Sequence, residues 1–170
     1  NAPAVKGIWC CPKYSTPDGY TYSDDTVRRL ASMKTAAPDF RVFWDNAYIV
    51  HHLSDDQDQL VNIFDLAKEY GTEDRVLEFC STSKISYAGA GVVAMAASPA
   101  NIEWTKKIMT VQAIGPDKIN QLRHVRYFKD MAGIEAHMKK HAELLKPKFD
   151  MVLSMLEEHL GGTGAGTWHN

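Results

Sequence analysis

Three short apolar segments, separated by two stretches with helical periodicity, constrain the fold of this chain more than any other feature. The apolar segments cover residues 5–11, 41–48 and 75–81, and their length and flanking turn residues are typical of buried strands. Ser23 is a predicted N-cap for the first intervening helix, which must end before Pro38. Because strands that alternate with helices at this spacing form right-handed crossovers, the pattern predicts an α/β fold with three parallel strands.

The chain beyond the third strand completes the predicted sheet and then becomes helical. Residues 91–98 follow that strand too soon for a helical crossover, so the fourth strand is predicted to be antiparallel. Helices are then predicted over residues 100–111, 117–130 and 134–160. Pro147 lies inside the last of these, where its missing N–H predicts a kink or a junction between two bodies.

Composition and charge narrow the classes of function. The chain has 170 residues and a net charge of -2, and its basic residues are scattered, which argues against a nucleic-acid partner. No apolar run approaches the roughly 18 to 20 residues that a membrane span needs, and no leader-like segment opens the chain. We therefore expect a cytoplasmic protein. Its three cysteines, Cys10, Cys11 and Cys80, are expected to be reduced core residues rather than a disulfide framework.

Polar segments follow each of the three predicted parallel strands. They are residues 13–19, 45–48 and 81–84. Because loops at the carboxyl ends of parallel strands meet at one edge of a sheet, these segments should form one cleft. Taken singly, Asp45 could be a turn or cap residue and Lys84 could be solvated. Together they predict a site where a partly desolvated lysine attacks a carbonyl as the free amine.

The motifs at this edge resemble those of a known family. "STPDG", "DNAY" and "STSK", in this order and at these spacings, look like the cofactor-site motifs of pyridoxal-phosphate-dependent aminotransferases of fold type I, class I/II. The longer segments "VKGIWCCPKYS", "FWDNAY", "STSKISYAGAG" and "IGPDKINQLRHVRYFKD" are similar to a bacterial subgroup of aspartate- or alanine-type aminotransferases. The resemblance covers nearly the whole chain.

The resemblance implies pyridoxal 5'-phosphate as cofactor and a catalytic role for three residues. Lys84 would form a Schiff base with the cofactor aldehyde and then carry out the 1,3-proton shift between the substrate α carbon and the cofactor C4'. Asp45 would keep the pyridine nitrogen protonated, so that the ring remains an electron sink. Tyr48 would hydrogen-bond to the phenolic oxygen of the ring.

The remaining cofactor contacts implied by the resemblance include two departures from the family pattern. Ser81 and Ser83 would contribute hydroxyl groups to the phosphate site. Thr16 stands where the family usually has an asparagine that donates to the phenolic oxygen. Gly91 and Val92 stand where many class I enzymes have a phosphate-binding arginine. Other basic residues would then bind the phosphate, and the candidates are Lys118, Arg123 and Arg126.

The resemblance also implies how the chain is organised and what it does. Residues 1–130 would be part of the large cofactor-binding domain and 131–170 the start of the small domain, so the chain looks like an internal fragment. The full-length protein would be a homodimer that transfers an amino group between an L-amino acid and a 2-oxo acid, whereas the isolated chain would be inactive. The alternative is a non-catalytic module, either a regulatory domain or a structural remnant.

The histidines are interpreted as structural or solvated residues. His137 and His141 lie four residues apart on a predicted helix and could share a metal, but no third ligand has matching spacing, so no metal site is predicted. They are expected on a solvated helix face. His51 and His52 follow Tyr48 and could approach the cofactor cleft, but they are interpreted as loop residues without a function.

Overall fold

A computed structural model describes residues 2–168 as a four-stranded mixed sheet with flanking helices. The strands lie in the order β1-β2-β3-β4; the first three are parallel and β4 is antiparallel to β3. Their bounds are β1 Gly7–Cys10, β2 Arg41–Asp45, β3 Val76–Ser81 and β4 Val93–Ala97. The α-helices are α1 Asp24–Ser32, α2 Ile63–Glu69, α3 Pro99–Gln112, α4 Lys118–Phe128 and α5 Met131–Leu160, and 3-10 helices cover Glu73–Arg75 and Thr82–Lys84. The predicted α/β class and all four strands are confirmed.

Side-chain caps fix where the helices that cover the sheet begin. The Ser23 hydroxyl accepts a hydrogen bond from the backbone N–H of Thr26, as the sequence predicts for an N-cap. The side-chain oxygen of Asn62 accepts from the N–H of Phe64 and opens α2. These two helices form the crossover connections between the parallel strands and pack against each other on one face of the sheet.

The core lies between that face and helices α1 and α2. Trp44 of β2 is 1% exposed and packs with side chains from both helices. The other members of this cluster include Cys10, Val27, Ala31, Val42, Ile63, Leu66, Ala67 and Val76. Because side chains alternate along a strand, Asp45 lies on the opposite face from Trp44, as predicted from the sequence.

Aromatic rings cover part of the opposite face. Trp9 stacks on Phe43 with ring centroids 5.2 Å apart and lies 6.3 Å from Phe79. The register explains this row, since Trp9 pairs with Phe43 and Asp45 pairs with Phe79. Trp9 nevertheless remains 65% exposed, so α1 and α2 cover only the core face.

The structure corrects the expectation for two of the three cysteines and shows a continuous helix at Pro147. Cys80 is exposed, because it lies towards β4, beyond the part of the sheet that α1 and α2 cover. Cys11 is half-buried and directly follows β1. Pro147 does not divide the last helix, since α5 continues through it for 30 residues. Because proline has no backbone N–H, one hydrogen bond of the helix is missing, and a helix of this length tolerates that loss. Among the described residues, no helix is both long and apolar enough to cross a membrane.

A half-buried carboxyl group, that of Glu78, lies on the core face next to Trp44, its partner in the register of β2 and β3. The Asn46 amide donates to Glu78, and Asn46 Oδ1 is buried without a hydrogen-bond partner among residues 2–168. Burial raises the pKa of Glu78, and the hydrogen bond from Asn46 opposes that shift. A carboxyl group whose pKa is raised on folding stabilises the fold at low pH and loses that contribution as pH rises through the folded-state pKa.

Replacing Glu78 with glutamine should therefore stabilise the protein at neutral pH. Glutamine keeps an acceptor for the Asn46 amide, adds a donor for Asn46 Oδ1 and removes the half-buried charge. We expect a gain of about 1 kcal/mol at pH 7.5, the size of one buried hydrogen bond, and a smaller gain at pH 5. Urea unfolding at both pH values measures it, with Glu73→Gln at an exposed position as the control. Equal effects of the two variants would contradict the prediction.

Candidate active site

A short turn at the carboxyl end of β3 presents Lys84. The Ser81 hydroxyl accepts from the N–H of Ser83 at 3.0 Å and opens the 3-10 helix Thr82–Lys84. The N–H groups of Ile85 and Ser86 both donate to the carbonyl oxygen of Thr82, at 3.0 and 2.8 Å. The turn reverses the chain directly after the strand, so Lys84 lies at the edge where the parallel strands end.

Tyr48 connects Lys84 to the loop after β1. Lys84 Nζ lies 2.5 Å from Tyr48 Oη and donates to it, and the same ammonium lies 3.9 Å from the centre of the tyrosine ring. Thr16 Oγ1 also donates to Tyr48 Oη, at 3.1 Å. The hydrogen bond from Lys84, followed by that from Thr16, lowers the pKa of Tyr48. Two residues from two other segments, Thr16 and Lys84, therefore converge on the phenolic oxygen of Tyr48.

Asp45 ends β2 beside this group. Its Oδ2 accepts from the indole N–H of Trp9 at 3.4 Å. Cys11 lies near both Asp45 and Lys84. Burial is the main reason why the pKa of its thiol is raised, and the negative charge of Asp45 raises it further. A hydrogen bond with the Thr16 backbone and the positive charge of Lys84 oppose this rise. This position of Cys11 was not predicted, because the apolar strand pattern around it indicates a core residue.

Ser81 and Ser83 form a hydroxyl pair whose oxygen atoms are 2.7 Å apart. Gly91 approaches this pair so closely that a Cβ built on it would overlap the Ser83 hydroxyl and lie 3.2 Å from the Ser83 backbone nitrogen. No side chain therefore fits at residue 91 unless Ser83 moves. The glycine at this position therefore leaves room for the Ser83 hydroxyl.

The expected cleft is present, with one correction. Thr16, Tyr48 and Lys84 are in direct contact, and Asp45, Ser81 and Ser83 lie at the ends of the neighbouring strands. Lys84, however, is exposed, so the expected partial desolvation of its amine is wrong for the described residues. The loops that converge on it leave one side of the side chain open.

The three basic residues suggested for the phosphate do not contact the serine pair in the described part of the chain. The guanidinium of Arg123 instead donates to Tyr87 Oη and lies 5.7 Å from its ring centre. Lys118 opens α4, and Arg126 lies on an exposed part of that helix.

The histidine interpretations need correction. Nε2 of His51 lies 3.1 Å from the backbone oxygen of Lys84, and Nε2 of His137 lies 2.8 Å from that of Ile85. Both rings are half-buried, so neither histidine is a free loop or solvated residue. Sequence spacing could not show these contacts, because the loop after β2 and helix α5 are far from Lys84 along the chain.

The mixed sheet and its flanking helices have the fold of solved fold type I aminotransferases. An aspartate transaminase from Corynebacterium glutamicum superposes with a TM-score of 0.95 at 46% identity, over 99% of this chain and 40% of that one. A kynurenine aminotransferase from Pyrococcus horikoshii, solved in complex with PMP, matches with a TM-score of 0.72 at 25% identity, over 91% of this chain and 36% of its own.

The aspartate aminotransferase family model matches residues 1–170. The chain therefore belongs to the aspartate aminotransferase family. A Mycolicibacterium smegmatis protein named as a candidate aminotransferase is 51% identical over 98% of this chain. The chain spans about two fifths of the length of such relatives, 39% for that protein and 38% for a Corynebacterium glutamicum aspartate aminotransferase.

Proposed function

We propose that the whole protein is a pyridoxal-phosphate-dependent aminotransferase that moves an amino group between an L-amino acid and a 2-oxo acid. The observation that carries this proposal is the convergence of Lys84 Nζ and Thr16 Oγ1 on Tyr48 Oη, next to the carboxylate of Asp45. The cofactor has an aldehyde, a phenolic oxygen, a pyridine nitrogen and a phosphate. The edge of the sheet offers an amine, hydroxyl donors and a carboxylate, which are the chemical groups that such a molecule needs.

The residues that would hold the cofactor divide by the part of the molecule they contact. The amine of Lys84 would hold it covalently, and the carboxylate of Asp45 would pair with the protonated ring nitrogen. A buried carboxylate is tolerated when an opposite charge accompanies it. Tyr48 and Thr16 would donate to the phenolic oxygen, for which their present mutual hydrogen bond keeps them in position. The hydroxyl pair of Ser81 and Ser83 would contact the phosphate.

The chemistry then depends on proton transfers at named atoms. When bound, the cofactor supplies an electron sink that stabilises the carbanion left at the substrate α carbon. Lys84 Nζ would act as the base that takes the proton from the substrate α carbon and delivers it to C4' of the cofactor. Asp45 would pair with the ring nitrogen and so hold the ring in position.

Replacing Gly91 with alanine should weaken cofactor retention. The added methyl group would displace the Ser83 hydroxyl and break its pairing with Ser81, which removes one donor to the phosphate. A charge-assisted hydrogen bond of this kind corresponds to about a tenfold rise in the Kd for pyridoxal phosphate. Titration of the apoprotein measures it. Gly115→Ala, where a Cβ would meet no atom within 4 Å, is the control. An unchanged Kd in Gly91→Ala would argue against the serine pair as phosphate ligands.

The organisation of the whole protein is part of the proposal. We assign residues 1–130 to the large domain and 131–170 to the start of the small domain, a division supported by the start of α5 at Met131. The whole protein would act as a cytoplasmic homodimer, and light scattering coupled to gel filtration tests its oligomeric state. The 170-residue chain alone would not turn over.

Amino transfer itself provides the test of function. The whole protein is incubated with pyridoxal phosphate, L-aspartate and 2-oxoglutarate, and glutamate formation is followed; L-alanine replaces L-aspartate in a parallel reaction. We expect glutamate to form with at least one donor. Cofactor binding without transfer from any of the twenty amino acids would instead support the non-catalytic alternative. The argument for that alternative is that Thr16 and Gly91 differ from the residues that the family usually has at these positions.

A further inference from the structure

We infer that His51 and His137 are positioning residues that hold the Lys84 turn from two sides, through hydrogen bonds to two consecutive backbone carbonyls. This inference rests on the proposed function only for its effect on catalysis. The hydrogen bonds themselves connect the turn to the loop after β2 and to helix α5. Neither histidine touches the reacting atoms, so both would act through the placement of Lys84.

His51 links Lys84 to Tyr48. Its Nε2 lies 3.1 Å from the carbonyl oxygen of Lys84, and a carbonyl only accepts, so this nitrogen carries the proton. The backbone N–H of His51 donates to the carbonyl of Tyr48 at 3.0 Å, and the two rings meet edge to face. Burial lowers the pKa of His51, which keeps the ring neutral near pH 7. His51 therefore binds the backbone carbonyls of both Lys84 and Tyr48, the two residues that form the 2.5 Å contact between Nζ and Oη.

His137 holds the next residue in the turn. Its Nε2 donates to the carbonyl oxygen of Ile85 at 2.8 Å, while Nδ1 lies 3.3 Å from Tyr127 Oη, a hydroxyl that can donate to it. The ring packs edge to face against Phe128, with centroids 5.3 Å apart. These contacts on both ring nitrogens and one ring face leave the imidazole a single orientation, which points its N–H at the turn.

A third histidine secures the two ends of the turn. His124 Nδ1 lies 2.8 Å from the carbonyl oxygen of Asn120 and therefore donates to it. Its Nε2 lies 3.0 Å from Thr82 Oγ1 and 2.9 Å from Ser86 Oγ. His124 thus donates to a backbone carbonyl through Nδ1, whereas His51 and His137 do so through Nε2. It fixes the start and the end of the segment, whereas the other two fix the carbonyls of Lys84 and Ile85.

The turn needs support from neighbouring segments because it is short and has few hydrogen bonds within itself. A 3-10 helix of three residues has few internal hydrogen bonds with poor geometry, and Lys84 itself is exposed. A displacement of about 1 Å of a catalytic group can lower a rate by roughly 10²-fold. Removal of the donors from His51 or His137 would therefore shift Lys84 without removing it.

The test compares variants that keep or lose the donor. In the whole protein, His51→Leu and His137→Leu remove the N–H, whereas His51→Gln and His137→Gln retain one at a similar reach. His159→Leu, at an exposed position in the last turn of α5, is the matched control. Two quantities are measured: hydrogen exchange of the Ile85 and Ser86 amides in the apoprotein, and the rate at which pyridoxal phosphate becomes borohydride-trapped on Lys84.

We expect the leucine variants to exchange these two amides about tenfold faster and to label Lys84 about tenfold more slowly. The glutamine variants should recover most of both values, and kcat should fall more than KM rises. Unchanged exchange in the leucine variants would overturn the inference, as would equal loss in the leucine and glutamine variants. If wild-type Lys84 is never labelled, the proposed function fails, but hydrogen exchange still decides whether the histidines hold the turn.

Discussion

Replacement of Lys84 by alanine is expected to abolish amino transfer by the whole protein while leaving its fold intact. The side chain is exposed and donates to Tyr48 Oη, so its loss leaves no cavity in the core. In the proposed reaction the same amine holds the cofactor and moves the α proton. We expect the rate to fall by at least about 10⁴-fold, the upper range for removal of one proton-transfer group.

The rate of glutamate formation measures this effect, with far-ultraviolet circular dichroism as the check on folding. Lys84→Arg keeps the positive charge but cannot form the covalent link, and we expect it to be as inactive as the alanine variant. Lys107→Ala, at an exposed position on α3, serves as the matched control and should retain activity. Substantial transfer by either Lys84 variant would mean that another amine carries the reaction.

Replacement of Trp44 by alanine is expected to cause the largest loss of stability of any single change in this chain. Trp44 is 1% exposed and is among the largest fully buried side chains, at the centre of the contact between β2 and helices α1 and α2. Truncation of a buried tryptophan to alanine costs about 3–5 kcal/mol, whereas a native protein is stable by only about 5–15 kcal/mol. Because Asp45 is the next residue, the site should be disordered together with the core.

Urea unfolding of the whole protein, followed by circular dichroism, measures the loss. Trp104→Ala on α3 is the matched control, since that side chain is 64% exposed in this structure, and we expect its effect to be small. Similar unfolding midpoints for the two variants would show that the Trp44 cluster is not the main core.

The sheet and its functional edge could be predicted because they depend on local signals. Apolar strands, helix caps and connection lengths indicate that the first three strands are parallel. The alternation of side chains along β2 places Trp44 and Asp45 on opposite faces of the sheet. Once the order is known, the loops after the parallel strands must meet at one edge. This reasoning brought Thr16, Tyr48 and Lys84 together correctly.

What the sequence could not predict depends on contacts between distant segments. The hydrogen bonds of His51 and His137 to the Lys84 turn require the placement of the loop after β2 and of α5, which periodicity does not specify. Cys80 looked buried because its strand is apolar, but burial also requires a helix over that part of the sheet. The close approach of Gly91 to Ser83 is likewise a property of the folded backbone.

The central claim is that Lys84 carries the cofactor, and one measurement tests it most directly. The whole protein is incubated with pyridoxal phosphate, reduced with borohydride, and digested for mass spectrometry alongside an intact-mass measurement. The account predicts one added pyridoxyl group per chain, located on Lys84. Labelling of other lysines in preference to Lys84, or a protein with no added mass, would contradict it.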